Sequence, residues 1–231
     1  MTNVSVDSLL TVLSQYGDRT YDSEDQLFLY FAGHGYYAQK QGYVVCRDSK
    51  MSDAARRSYV PFAYLSSLIN GISCPHIFVA LDVCYGGAFW DKRDPGATRG
   101  TDEYARRSKE EFLRVKLALK TRKFMTSGNK EPVPEGAPGE HSPFAKFFLA
   151  GLDKGALETG YLTFSRLVTY VDNAQPLPRY GDFGDPARDY DTGSDFFFDW
   201  KAGPVAGMVA PPVRARSGAF GASGLAGGGG R

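Results

Sequence analysis

The sequence feature that most constrains the fold is an unbroken apolar run from Ile77 to Leu81. Such a run predicts a strand that is buried on both faces, as in a parallel sheet. It is followed directly by Asp82 and Cys84, and then by the glycines Gly86 and Gly87. Open α/β sheets carry their chemistry at the carboxyl edge, so this order predicts a thiol at a functional position. We expect the glycines to let the backbone turn sharply and to leave the sulfur approachable.

A second apolar strand is predicted upstream, over Gln26–Ala32, and it runs into Gly33–His34–Gly35. His34 precedes Cys84 by 84 − 34 = 50 residues. Two neighbouring parallel strands of similar length would bring both side chains to the same edge of the sheet. The sequence therefore predicts a thiol beside a histidine that acts as its base.

Composition excludes several classes of function. The chain has 231 residues and a net charge of +1, which provides one sizeable core and no basic field for nucleic acid. No run of 18 apolar residues occurs, and the start lacks the form of a secretion signal, so we expect neither a membrane span nor export. The three cysteines are odd in number and irregularly spaced, which fits neither a disulfide framework nor a zinc site. A reducing, cytoplasmic setting is the simplest interpretation.

Strands alternate with helices along the chain, which predicts a three-layer α/β/α sandwich with a mostly parallel sheet in residues 1–200. Residues 175–194 are predicted as a loop, and the Gly-, Ala- and Pro-rich residues 201–231 as a disordered tail. The remaining predicted elements are a helix over residues 4–17, a hairpin over Tyr36–Asp48, a helix opening at Pro61, a helix over Glu110–Lys120, a strand over Lys123–Gly128, helices opening at Ser142–Pro143 and Thr163, and a last strand over Phe196–Phe198.

The two strand-end motifs resemble those of the caspase-like cysteine peptidases, especially the metacaspase and bacterial orthocaspase branches. A histidine about 50 residues before the cysteine is the caspase spacing. The resemblance rests on Leu27–Gly35 and Phe78–Gly87, and it covers roughly residues 5–200. It continues through Thr126–Gly128, the helix start at His141, Leu162–Thr163 and the closing aromatic strand.

The resemblance also implies a difference at the start of the domain. Caspase-like domains usually place a strand, a helix and a strand ahead of the helix predicted at residues 4–17, so the sheet would lack two strands beside the His34 strand. Three explanations stay open for the missing strands: the chain is a processed piece, its start has diverged from the family, or it is half of a complex. An unpaired strand edge is an aggregation hazard or a docking site, and we expect a partner chain that completes the sheet.

The resemblance implies an endopeptidase in which Cys84 attacks a peptide carbonyl and His34 protonates the departing amine. The backbone N–H groups of Gly35 and Cys84 would form the oxyanion hole. Asp82 would line the pocket for the side chain preceding the cut, where a carboxylate favours Arg or Lys and repels an aspartate. Ser127 aligns with a residue that lines the same pocket in the family. No third catalytic residue is indicated.

For the other cysteines, histidines and acidic residues we prefer structural or surface roles to catalytic ones. Cys46 and Cys74 are predicted to be small buried apolar residues, His76 a loop residue and His141 a helix-start residue. No cofactor is required. Many metacaspases need calcium, which leaves calcium open as an activator. Five acidic residues near the end of the domain lack a compact ligand spacing, and we interpret them as a solvated surface: Asp182, Asp185, Asp189, Asp191 and Asp195.

The polar segment Asp91–Arg107 is predicted to be an exposed loop at the point where caspase-like enzymes separate their large and small parts. A substrate pocket with Asp82 at its base would accept the arginines of this segment. One hypothesis is therefore self-cleavage after Arg106 or Arg107, and the other is that these arginines are ordinary surface charges.

Two other functions stay open. In the first, the chain is an inactive or partner-dependent scaffold. In the second, it is a nucleotide-binding domain, although no Gly-rich phosphate loop follows a first strand.

Overall fold

The structure is a computed structural model that describes residues 1–90, 108–137, 139–155, 160–186 and 188–199. Its helices are α1 (Val6–Gly17), α2 (Phe62–Asn70), α3 (Lys109–Leu117), α4 (Pro143–Lys154) and α5 (Phe164–Val171). Its strands are β1 (Gln26–Gly33), β2 (Gly35–Ala38), β3 (Gln41–Val44), β4 (Val60–Pro61), β5 (His76–Val83), β6 (Thr121–Thr126), β7 (Tyr161–Thr163), β8 (Arg179–Asp182) and β9 (Phe197–Asp199).

The main sheet has the strand order β1-β5-β6-β8. Strands β1, β5 and β6 are parallel, whereas β8 runs antiparallel to β6. Among the described strands, β1 therefore lies at the edge of this sheet, and β5 lies inside it. The fold is α/β with a mixed, mostly parallel central sheet, as the alternation of strands and helices predicted.

Alternate residues of β5 pack into two separate apolar clusters, which explains why this strand is apolar on both faces. Ile77, Val79 and Leu81 belong to a cluster that also contains residues of α1 and α2. Phe78 and Ala80 belong to a second cluster, which contains residues of α4 and α5. Helices thus cover both faces of the sheet, an arrangement compatible with the predicted three-layer sandwich.

Helix starts follow the capping rules. Ser142 accepts a hydrogen bond from the Ala145 N–H at the start of α4, and Thr163 accepts one from the Arg166 N–H at the start of α5. Each cap satisfies a backbone donor that the first helical turn leaves without a partner. Pro61 directly precedes α2, and Gly71 ends it. The predicted starts of these three helices are confirmed.

The structure corrects two predictions outside the helices. The segment 175–194 is not all loop, because β8 lies within it and forms an edge of the main sheet. His76 is not a loop residue but the first residue of β5, where its side chain is buried. The closing aromatic strand does form as β9, and it pairs with β7 in a small sheet of its own.

Two predictions lie outside the described residues. They are the exposed loop Asp91–Arg107, with the self-cleavage candidates Arg106 and Arg107, and the tail over residues 201–231. Within the described ranges, no helix combines the length and apolar character that a membrane crossing requires.

Candidate active site

Strand register brings the histidine and the cysteine to one edge of the sheet. Gly33, the last residue of β1, is paired with Val83, the last residue of β5. His34 and Cys84 are the next residues on the two strands, and parallel strands end at the same edge. The predicted juxtaposition of the two strand ends is confirmed.

The backbones meet closely at this edge. A Cβ atom built on Gly35 would overlap the carbonyl oxygen of Cys84 and would lie 2.8 Å from its carbonyl carbon and 3.3 Å from its backbone nitrogen. Only glycine, which has no Cβ, fits so close to another main chain. Gly35 therefore packs its main chain directly against that of Cys84, and the backbone amides of both residues lie in the same small region.

The chain turns directly after Cys84. Tyr85 has a φ of 60°, in the left-handed region, and its ring stacks on that of Tyr37 with centroids 5.7 Å apart. Gly86 and Gly87 do lie in this turn, as the first two residues of a short 3-10 helix, Gly86–Ala88, but the left-handed residue is Tyr85. Gly87 is also needed for close approach, because a Cβ there would lie 2.6 Å from the Cα of Asn129.

The three cysteines have different environments. Cys46 and Cys74 are buried, 6% and 0% exposed, and burial is the main cause that raises the pKa of both thiols. Both are therefore the small buried residues that the sequence predicted. Cys84 is partly exposed at the end of β5. A thiolate forms least readily in buried apolar surroundings, so Cys84 is the best placed of the three for nucleophilic chemistry.

A segment that the sequence analysis did not single out lies against Cys84. We call residues 129–135 the Val133 segment. It is joined to the turn after Cys84 by two backbone hydrogen bonds, from Tyr85 N–H to the Glu131 carbonyl (3.1 Å) and from Gly87 N–H to the Asn129 carbonyl (2.9 Å). The sulfur itself accepts from the Val133 N–H at 3.4 Å and donates to the Val133 carbonyl, with a separation of 3.7 Å.

The same segment reaches His34. The Oε1 atom of Glu135 lies 3.1 Å from Nδ1 of His34, and both side chains are largely exposed, at 73% and 71%. The carbonyl of His34 accepts a hydrogen bond from the Val45 N–H, which ties the histidine backbone to the hairpin of β2 and β3. The Val133 segment thus contacts both members of the predicted pair, through the main chain at the cysteine and through a carboxylate at the histidine.

Asp82 is held by two hydroxyl groups. Its Oδ2 atom accepts from the Ser142 hydroxyl at 2.6 Å and from the Tyr30 hydroxyl at 3.2 Å. Burial, and then the neighbouring Asp82 charge, raise the pKa of Tyr30, which keeps this hydroxyl protonated as a donor. Both donors engage the same oxygen, and among the residues that the structure describes no hydrogen bond to Oδ1 is found.

The structure places Ser127 beside Asp82 in the sheet but gives its hydroxyl another partner. The Ser127 side chain is only 1% exposed, and its Oγ donates to the Val83 carbonyl at 3.4 Å. The Ser127 N–H donates to the Leu81 carbonyl. These contacts extend the pairing of β5 and β6 by one residue, and a role for Ser127 in substrate binding stays a prediction.

Two of the acidic residues near the end of the domain, Asp195 and Asp189, are structural, which corrects their interpretation as part of a solvated surface. Asp195 is 3% exposed and accepts from the Ser165 hydroxyl and from the Phe196 N–H. Asp189 accepts from the Asn70 amide and from the Asp185 N–H, which joins this region to the end of α2. Within the described residues, no group of three or more His, Cys, Asp or Glu side chains is arranged to hold a metal ion.

Tyr30, Ser142, Val133 and Glu135 were missed as site residues by sequence reasoning. Ser142 was predicted only as a helix cap, and Tyr30 only as part of an apolar strand. One signal for Tyr30 was available, because alternation places it on the same face as Phe28 in a strand next to that of Asp82. Glu135 lies in a Pro- and Glu-rich stretch without periodicity, and nothing in its local sequence predicts contact with His34.

Comparison with known proteins adds no identification. The sequence matches no family model. It also has no match among curated proteins.

Proposed function

We propose that this chain is a cysteine endopeptidase of the caspase-like kind, nearest in its motifs to metacaspases and orthocaspases, and that it cuts after Arg or Lys. The observation that carries the proposal is the pairing of Gly33 with Val83, which brings His34 and Cys84 to one edge of the sheet. The close packing of Gly35 on Cys84 supports it, because an oxyanion hole made of their two N–H groups needs those main chains together.

The chemistry divides into two steps. In the first, the Cys84 thiolate bonds to the scissile carbonyl carbon, and the resulting oxyanion is stabilised by the Gly35 and Cys84 N–H groups. The carbon–nitrogen bond then breaks, and protonated His34 gives its proton to the departing amine. In the second step, His34 accepts a proton from water as the water oxygen attacks the thioester, and the thiolate leaves with its electron pair. Acid and thiolate are the products.

We assign the preference for Arg or Lys before the cut to Asp82. Its Oδ2 is fixed by the hydroxyl groups of Ser142 and Tyr30, which holds the carboxylate in one orientation. Oδ1 can then receive a guanidinium or an ammonium, and an Arg substrate gains most when it pairs with a carboxylate whose geometry is already set. A substrate with aspartate before the cut would meet a like charge.

A peptide panel tests this specificity. Fluorogenic peptides that differ only in the residue before the cut are compared with the parent chain and with Asp82→Ala. We expect Arg and Lys peptides to be cut at least about a hundredfold faster than Asp peptides, and Asp82→Ala to lose that advantage. Gln26→Ala, an exposed position at the far end of β1, serves as the control and keeps it. A parent chain that prefers Asp peptides contradicts the assignment of the pocket.

Self-processing is part of the proposal. The arginines of residues 91–107 suit a pocket floored by Asp82, and cleavage is proposed after Arg106 or Arg107. Incubation of the parent chain beside Cys84→Ala, with sequencing of new termini, tests it. A fragment that starts at residue 107 or 108 in the parent alone supports self-cleavage. The same fragment from Cys84→Ala, or no fragment, contradicts it.

The second candidate is a chain that depends on a partner for activity, or an inactive scaffold. The observation in its favour is the position of β1, which leads into His34 and lies at the edge of the described sheet. A strand edge offers unpaired backbone groups to another chain. If the purified chain cleaves an Arg peptide with a rate proportional to its concentration, a required partner is excluded. No calcium site is assigned, and calcium as an activator is tested by cleavage with and without a chelator.

A further inference from the structure

We infer that Glu135 is a positioning residue for His34, and that the catalytic unit of this chain is a Cys84–His34–Glu135 arrangement rather than a pair. The inference rests on the proposed peptidase function and deepens it. The sequence indicates no third residue. The geometry supplies one, since Glu135 Oε1 lies 3.1 Å from His34 Nδ1.

The backbone that carries Glu135 is held beside Cys84. Glu135 belongs to the Val133 segment, which is joined to the turn after Cys84 by the Tyr85–Glu131 and Gly87–Asn129 backbone bonds. The segment is also braced internally, because the carboxylate of Glu131 accepts from the Asn129 N–H at 2.8 Å. Val133 lies between Glu131 and Glu135, and its N–H donates to the sulfur of Cys84. One segment therefore carries Glu135 to the histidine while it is fixed to the cysteine.

A carboxylate at one imidazole nitrogen determines what the other nitrogen can do. When Nδ1–H donates to Glu135, the neutral ring must carry its proton on Nδ1, and Nε2 has its lone pair free to accept a proton. When both nitrogens are protonated, the carboxylate stabilises the positive ring. The proton stays on the imidazole in both cases, as it does in the Ser-His-Asp arrangement, so Glu135 orients His34 and exchanges no proton with it.

The solvent exposure of the Glu135 and His34 side chains determines how large a contribution Glu135 should make. An ion pair that is about 70% exposed on both sides is weak in water, so Glu135 adds little to the stability of the free protein. A bound substrate would cover the edge of the sheet and remove water from the pair, which strengthens it during the reaction. We therefore expect the contribution to appear in kcat and to leave KM unchanged.

Three variants test the inference kinetically. Glu135→Ala removes the acceptor and should lower kcat for an Arg peptide about tenfold, with KM changed by less than about twofold. Glu135→Gln keeps an oxygen acceptor without the charge and should recover part of the loss. Glu140→Ala is the control, because Glu140 is an exposed glutamate between β6 and α4 that pairs with Lys146 instead. Glu140→Ala should leave kcat unchanged.

A spectroscopic measurement follows the histidine itself. The chain has three histidines, and nitrogen-15 NMR of their rings identifies which nitrogen carries the proton in each neutral ring. The His34 signals are assigned by their loss in His34→Gln. We expect the neutral ring of His34 to carry its proton on Nδ1 in the parent chain and in Glu140→Ala, and to shift toward Nε2 in Glu135→Ala.

The outcomes separate this inference from the proposed function. An unchanged or raised kcat in Glu135→Ala overturns the positioning role, and a raised kcat shows that Glu135 holds His34 away from the reaction. An unchanged His34 tautomer in Glu135→Ala overturns it as well. If the parent chain cleaves no peptide, the proposed peptidase function fails, and the tautomer shift alone then decides whether Glu135 fixes His34.

Discussion

At the scale of single residues, the site depends on how differently the same residue type is placed along the chain. Cys84 lies at the carboxyl end of β5 with backbone groups of Val133 against its sulfur, whereas Cys46 and Cys74 are buried. Gly35 touches the main chain of Cys84, whereas Gly17 has no atom near the place where its Cβ would be. These contrasts give matched pairs of positions for experiments.

Alkylation of the native chain should modify one cysteine. Cys84 is partly exposed, while burial raises the pKa of Cys46 and Cys74 and shields both thiols. Brief treatment with iodoacetamide at neutral pH, followed by peptide mapping by mass spectrometry, should place the label on Cys84 and leave native Cys84→Ala unlabelled. The denatured parent should take up label on all its cysteines. Faster labelling of Cys46 or Cys74 in the native chain would contradict the structure.

Gly35→Ala should slow cleavage of an Arg peptide by about a hundredfold or more. The new Cβ would overlap the Cys84 carbonyl oxygen, so the β1–β2 connection must move away from Cys84 and carry its N–H group out of the proposed oxyanion hole. Loss of one oxyanion donor costs about a hundredfold or more in kcat. Gly17→Ala is the control, since nothing lies within 4 Å of its Cβ position. A Gly35→Ala chain as active as the control would disprove the close packing.

At the scale of elements, predictions succeeded where local chemistry decides structure. Ser142 and Thr163 are capping residues that hydrogen-bond to the first turns of their helices, and the sequence alone identified both starts. Strand β5 was predicted because it is apolar on both faces. The paired strand ends that bring His34 and Cys84 together were also predicted, because parallel neighbours share an edge.

Predictions failed where a partner far along the chain decides structure. Strand β8 contains Arg, Tyr, Gly and Asp, which have no alternating apolar pattern, and it is a strand because β6 offers it an edge. Lys123 of β6 and Asp182 of β8 form an ion pair across that edge. Glu135 is the corresponding case in the site, since its contact with His34 follows from the path of the Val133 segment and from no local signal.

The hairpin of β2 and β3 should be stabilised by a change in its turn. Gln39 and Lys40 connect the strands, and both have positive φ, 51° and 63°, a conformation that suits Asn followed by Gly. The double substitution Gln39→Asn with Lys40→Gly should raise the free energy of unfolding by about 1 kcal/mol. Urea denaturation measures this, and the change should leave cleavage unaffected. The reverse order, Gln39→Gly with Lys40→Asn, is the control and should gain less. Equal or lower stability of the Asn-Gly variant relative to the parent would contradict the turn geometry.

At the scale of the whole molecule, stability is expected to depend on pH through His76. This residue is 1% exposed, with its ring nitrogens 3.3 Å from the Thr121 hydroxyl and 3.2 Å from the Ser23 carbonyl. Burial lowers the pKa of His76 in the folded chain, whereas the unfolded chain has the ordinary value of about 6.5. Below that pH the unfolded state binds a proton that the folded state does not, so stability falls as the solution becomes more acidic.

Urea denaturation at pH 7.5 and pH 5.5 measures this dependence. The parent chain should be less stable at pH 5.5, and His76→Gln should lose most of the difference, although it lowers stability at both values by about 1–3 kcal/mol. His141→Gln is the control, because His141 is exposed beside the start of α4, and it should keep the difference. Equal loss of stability in the parent and in His76→Gln would assign the effect to other groups.

The fold as a whole assembles the candidate site at one edge of a mostly parallel sheet. The carboxyl ends of β1 and β5 lead into the histidine and the cysteine, the connection after β6 supplies the Val133 segment, and the start of α4 supplies a hydroxyl for Asp82. Four parts of the chain that are distant in sequence therefore meet at the site, which is why local patterns predicted only the first two.

The most direct test of the central claim is a cycle of Cys84→Ala, His34→Ala and the double variant, assayed by kcat/KM on one fluorogenic Arg peptide. Groups that act as one catalytic unit lose nearly all activity on the first substitution, so we expect each single variant to fall at least about a thousandfold and the double variant to fall little further. Cys46→Ala and Cys74→Ala should keep most activity. Undiminished cleavage by Cys84→Ala, or losses at Cys84 and His34 that multiply in the double variant, would contradict a joint role for these residues in peptide hydrolysis.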